Sequence, residues 1–239
     1  MGIQERTLTV DGIEMHFGTN HVGHFLLTSL IMPKIIKAAE KNPRGATRII
    51  NISAGAASHS SIRWSDINFE TVNKDLPDGE KINVPLFEAW GYKDADEVAY
   101  NPLDGYMRSK IANVLYGVGA NARLFEKYGI YSTGLHPGVI HTELGRNFPQ
   151  ETKDAVGKLV GKMYTMKSFE GGSSTALVAA LDPKLAVGVN EPNGDSDNWG
   201  AYLDDCQISG KASKYAVSSE EAEKLWKLSE KLVGQEFAW

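Results

Sequence analysis

Cysteine is almost missing from this chain. Cys206 is the only one in 239 residues, so no internal disulfide can form and the sequence suits a reducing compartment. A dense cluster of Lys and Arg is missing too. With 25 basic against 30 acidic residues the formal net charge is −5, which speaks against nucleic-acid binding. The longest apolar stretch, around Phe25 to Met32, is short and interrupted, so no membrane insertion is expected. The start, Met1-Gly2-Ile3-Gln4-Glu5-Arg6, turns polar at once and offers no secretory leader, and Arg6 stands where a myristoylation signal needs Ser or Thr. The Asn51-Ile52-Ser53 sequon falls in an expected buried strand and is discounted. A cytoplasmic location is therefore the default expectation. No internal repeat and no low-complexity segment occurs, and neither does a Gly-x-Gly-x-x-Gly or Gly-x-x-x-Gly-x-Gly phosphate loop.

What is present reads as one domain over residues 1–239, with 42% apolar and 23% charged residues as in ordinary globular proteins. Apolar residues from Ile13 to about Ala39 recur at mostly helical spacing, giving one long helix or two short ones with Pro33 marking a break. Arg48 to Ser53 is a β-branched run and predicts a strand. Residues 54–99 mix polar residues with scattered aromatics and keep no period; such a loop is either a substrate-facing excursion or a surface insertion. A helix follows Asn101-Pro102 and stops at Tyr128-Gly129. Ile130 to Leu135 predicts a second strand, ending at His136-Pro137-Gly138. Residues 139–168 suggest loop and short helix, with Phe148, Val160, Met163, Tyr164 and Met166 available to cover something apolar. An Ala-rich helix over Glu170 to Leu181, a short strand around Gly200 to Leu203 and a final helix after Ser218-Ser219 complete the pattern. Alternating strands and helices argue an α/β fold with a parallel sheet.

Tyr106 and Lys110 are the residues with the clearest chemistry. Four apart on a helix, they share one face. A phenol ionises near pH 10, and a neighbouring ammonium favours the phenolate and lowers that value toward working pH. Alone the pattern says little: nine Tyr and eighteen Lys give about 0.7 such pairs by chance in a chain this long. The histidines His21, His24, His136 and His141 show no His-Glu-x-x-His spacing and are expected to pack or cap rather than bind metal.

The surrounding segments resemble the short-chain dehydrogenase/reductase family, in particular its retinol-dehydrogenase-like branch common in fungi. Asn20-His21-Val22-Gly23-His24-Phe25 is similar to the stretch bearing that family's active-site asparagine. Arg48 to Ser53 resembles the strand leading to its serine. Tyr106 and Lys110 match its Tyr-x-x-x-Lys pair, and His136-Pro137-Gly138-Val139-Ile140-His141-Thr142 resembles its Pro-Gly-x-x-x-Thr segment. The resemblance runs over essentially the whole chain. It implies a doubly wound parallel Rossmann-type sheet and an NAD(P)-dependent oxidoreductase interconverting an alcohol and a carbonyl on a small or apolar substrate. NADP is the expected cofactor and NAD the alternative. Tyr106 would be the acid/base. Lys110 would lower its pKa and bond the nicotinamide ribose, and Asn20 would hold a water relay through Lys110. Pro137, Gly138, Val139 and Thr142 would position the carboxamide.

Two departures accompany the resemblance. The family's Gly-rich turn and its Asn-Asn-Ala-Gly segment are absent, so the chain is expected to be N-terminally truncated, lacking the half of the sheet that holds adenosine and phosphates. The family's catalytic serine falls on Ala54, with Ser53 or Ser58 as candidate stand-ins. The resulting alternative is a catalytically impaired fragment or pseudoenzyme of the same family.

Overall fold

The computed structural model describes residues 3–162, 165–186, 197–198 and 200–239; Met163 and Tyr164 lie outside them. Its centre is α4 (Pro102–Tyr128), the helix that the Asn101-Pro102 and Tyr128-Gly129 signals delimit. The Asn101 side chain accepts a hydrogen bond from the Leu103 amide, Pro102 fills the first turn where no amide partner is needed, and Gly129 closes the helix at φ +67°. Strand β2 (Ile130–His136) follows at once and runs back along the helix. It pairs in parallel with β1 (Thr47–Ile52) on one side and β5 (Tyr202–Asp204) on the other, while β6 (Gln207–Ile208) turns back antiparallel on β5. The strand order is β1-β2-β5-β6. The first three strands match the sequence reading; the two-residue β6 leaves no alternation to read.

Helices cover both faces of this sheet. On one, α4 packs with α2 (Gly23–Ala39) and the amphipathic α7 (Ser219–Val233), burying Phe25, Ile49, Tyr116, Leu124 and Trp226 in one cluster and Ile111, Leu115, Val118 and Leu225 in another. On the other, α6 (Phe169–Leu181) lays Ala179 against Tyr131, Leu135 and Leu203. Close helix–strand packing on the α4 face depends on Gly134, where an added Cβ would stand 2.9 Å from Val114 Cγ2.

Several local expectations change. The N-terminal helix does not break at Pro33. It runs on through it, and its irregularity lies earlier, as a π turn at Gly18–Val22 joining α1 (Met15–Phe17) to α2. The continuous helix Met15–Ala39 has 25 residues and contains an 18-residue stretch of mean hydropathy 1.3, long and apolar enough by composition to cross a membrane. The sequence expectation stopped at Met32, whereas the helix continues through the polar interruptions. Residues 54–99 carry no sustained period, but they are ordered by short elements and by packing on the helix that follows. They carry the short helix α3 (Val84–Ala89) and cover the start of α4, with Phe87, Ile82 and Ala56 packed on Leu103 and Met107. Buried Arg63 and Arg108 pin this cover. Arg108 pairs with Asp104 and reaches the Glu80 and Ser61 carbonyls, and Arg63 pairs with Asp66. After β2, β3 (Val139–Ile140) and β4 (Met166–Lys167) form a small parallel pair, with α5 (Gln150–Leu159) between them.

Candidate functional site

Tyr106 and Lys110 sit one turn apart near the start of α4, beside the C-terminal ends of β1 and β2. The geometry follows from the chain direction. Gly134 lies against Val114; one and two turns back along the helix come Lys110 and Tyr106, and two residues on along the strand comes His136. Helix and strand thus carry all three toward the same edge of the sheet, where ligands bind in open α/β folds.

The Lys110 ammonium donates to the Ile52 carbonyl at 3.0 Å and lies 5.8 Å from the Tyr106 ring centroid. Asn113 donates to the same carbonyl. Burial lowers the Lys110 pKa and raises that of Tyr106 to about 12. The expected lowering of the phenol by its lysine is therefore not seen in this arrangement: the ammonium is bonded to Ile52, not to the phenol oxygen, and loss of water around Tyr106 dominates. The Tyr106 hydroxyl has no hydrogen-bond partner among the described residues.

Asn20 lies inside the π turn, a distortion that often marks functional positions. Its amide donates to Ser109 Oγ at 2.9 Å, and Ser109 in turn donates to the Tyr106 carbonyl. Asn20 is thus tied across to α4 rather than satisfied locally, but its bond goes to Ser109, one residue short of Lys110. Ser109 carried no signal in the sequence, because its role depends on a partner 89 positions away.

The serine question is partly answered. Ser53 is buried and donates to the Lys110 carbonyl at 2.6 Å, so it cannot stand in for the hydroxyl missing at Ala54. Extended Ala54 follows, its carbonyl accepting from the buried Tyr202 hydroxyl at 3.2 Å. Ser58 ends the short turn Gly55–Ser58 and is half-buried.

Pro137-Gly138 forms a turn in which Gly138 takes φ +92°, a left-handed conformation that side chains disfavour. An added Cβ there would meet the Lys167 side chain at 2.6 Å; Lys167 itself reaches Asp205 at 2.8 Å. Val139 pairs with Met166 in the small sheet. Thr142 is used as a cap, its hydroxyl accepting from the Leu144 amide. The histidines divide. His21 is a core residue bonded to Ser229, and burial, then His24, lowers its pKa to about 3. His136 has its ring against Gly55 and its Nδ1 buried without a hydrogen-bond partner. Among the described residues no group of three or more His, Cys, Asp or Glu is arranged to hold a metal.

These features fit one end of a nicotinamide cofactor. Lys110 spends one of its donors on Ile52, the Tyr106 hydroxyl is unpaired, and the Gly138 turn lets backbone approach closely. Among the described residues nothing provides the glycine-rich cradle a pyrophosphate needs.

No family model matches the chain. Among curated proteins it is 30% identical over 95% of its length to short-chain dehydrogenase TIC 32 A of Brassica napus, covering 59% of that protein. It is also 30% identical over 95% of its length to human retinol dehydrogenase 14, covering 54%. The chain spans about half the length of the curated relatives it matches. Among solved structures it matches an uncharacterized protein from Mycobacterium paratuberculosis with a TM-score of 0.57 and 25% identity, over 98% of this chain and 64% of that one. These relatives are named as a short-chain dehydrogenase and a retinol dehydrogenase, and the structural match agrees with a Rossmann-type α/β fold.

Proposed function

We propose that this chain is the catalytic part of a short-chain dehydrogenase/reductase that interconverts an alcohol and a carbonyl on a small or apolar substrate. The observation that carries the reading is the placement of Tyr106 and Lys110 at the C-terminal edge of a parallel sheet, beside the Gly138 turn and the π turn bearing Asn20. A bound nicotinamide cofactor, NADP in this reading with NAD as the alternative, would supply the hydride chemistry. Tyr106 would hold the proton exchanged with the substrate oxygen, and Lys110 would stabilise the phenolate once that proton has left. Lys110, Tyr106 and the Pro137-Gly138-Val139 turn would face the nicotinamide end. Thr142, whose hydroxyl accepts from the Leu144 amide, would join them with its own O–H as donor. Asn20 would fix Ser109, and through it the first turns of α4.

The pyrophosphate cradle is assigned to strands that add to the free edge of β1. Among the described residues β1 pairs only with β2, and apolar residues stand exposed on both flanking helices. In this reading Met15–Ala39 is a helix of the fold and not a membrane span, because Phe25 and Met32 are buried against the sheet. A cytoplasmic location is the companion proposal.

A second reading, an impaired or inactive relative, is favoured by Ala54 and by the upward shift at Tyr106. Losing one donor to a developing oxyanion costs about 10²–10³ in rate. Nicotinamide absorbance followed with a panel of aldehydes, ketones and alcohols separates the two. Turnover supports the enzyme; no turnover, with the fold intact by circular dichroism, supports the impaired relative.

A further inference from the structure

The hydroxyl missing at Ala54 leaves a carbonyl substrate short of one hydrogen bond, and three nearby hydroxyls are already used. Ser53 donates to Lys110, Ser109 to Tyr106 and Tyr202 to Ala54, each to a backbone carbonyl. His136 stands beside the turn that follows Ala54. Its ring lies against Gly55, the residue after Ala54: a Cβ on Gly55 would stand 3.6 Å from Nε2 and 3.8 Å from Cδ2. A side chain at position 55 would press on the imidazole. The ring faces the α4 side of the sheet, as Gly134 does two residues earlier, and so the side from which Lys110 and Tyr106 approach the same edge. Nδ1 is buried without a hydrogen-bond partner. Burial, with Lys167 and Lys211 nearby and only partly countered by Asp204, keeps the ring neutral. A neutral imidazole has one N–H to donate.

We propose that His136 takes over the task of the absent serine, donating a hydrogen bond from Nε2 to the substrate carbonyl oxygen while Tyr106 supplies the proton. The proposal rests on the oxidoreductase reading for its substrate class. No covalent bond forms at His136, and its N–H proton stays on the ring.

The experiment has two arms, with acetophenone as the ketone and NADPH as the reductant. In turnover, His136→Ala is expected to lower kcat about 10²-fold with little change in KM. His136→Gln, which keeps a donor near the Nε2 position, should recover much of the loss. Ala54→Ser added to His136→Ala should also restore activity, which a merely structural role of His136 would not allow. Equal kcat in wild type and His136→Ala, with folding unchanged by circular dichroism, overturns the proposal. The second arm needs no turnover: ¹⁵N-histidine NMR of the wild-type chain, titrated with acetophenone. A ligand-dependent shift of the His136 Nε2 signal that persists in Tyr106→Phe supports the contact. An unmoved signal overturns it. If the shift appears but no variant reduces acetophenone, the oxidoreductase reading fails while the His136 contact stands.

Discussion

The two flanks of the sheet are built differently. On the α4 face beneath β2, aromatic groups close over one another. Trp226 stacks on Tyr116 at 5.6 Å with the planes 6° apart, Phe25 meets both edge-on, and Phe237 and Trp239 cap the cluster from the C-terminus. At the β1 edge the same fold stays open. Ile52 is 46% exposed at the strand's end; Leu27 and Leu30 on α2, and Phe169 and Leu181 on α6, stand out by 57% or more. Free strand edges and contiguous apolar surface are the marks of an interface. The closed flank holds the fold, and the open flank presents a strand edge and apolar side chains to solvent. The candidate site lies between them, at the end of β1.

The contrast can be broken from its strong side first. Trp226→Ala should cost about 3–5 kcal/mol in denaturant unfolding, because it empties the centre of the aromatic cluster. Acid should act on the same flank. His21 has its pKa lowered to about 3 by burial. The unfolded chain therefore binds a proton more readily, and the stability present above about pH 6.5 is lost as pH falls toward 3, by about 2 kcal/mol at pH 5. His21→Gln should flatten that part of the profile; an unchanged slope would place the acid sensitivity elsewhere. On the open flank the expectation reverses. Leu27→Glu with Leu30→Glu should change monomer stability by only about 0.5 kcal/mol. The same pair should reduce self-association in sedimentation velocity. Large destabilisation without any change in association would show that this face is core, not interface.

Legibility in the sequence followed the range of the interaction. The helix carrying Tyr106 and Lys110 could be read because Asn101, Pro102 and Gly129 mark its ends locally, and β1 and β2 because their β-branched runs are bounded by turns. The two-residue strands β3, β4 and β6 are too short to show a period. The π turn around Asn20 has no local signature, since Pro33 offered the more obvious break. At the site, spacing brought Tyr106 and Lys110 together correctly. Their electrostatics could not be read that way, because burial and the Ile52 carbonyl come from distant segments. The fate of Ser53, bonded to Lys110 57 positions on, and the place of His136 beside Gly55 likewise exist only after folding. Thr142 was legible as a residue of the right spacing, yet the structure uses it to cap a turn.

The central claim is that Tyr106 is the proton-exchanging group of a nicotinamide-dependent oxidoreductase. Its most direct test follows nicotinamide absorbance during aldehyde or ketone reduction by the wild-type protein and by Tyr106→Phe. The account predicts a rate lowered by about 10²–10⁴ in Tyr106→Phe, with the fold intact by circular dichroism. Turnover in the variant equal to wild type would contradict it.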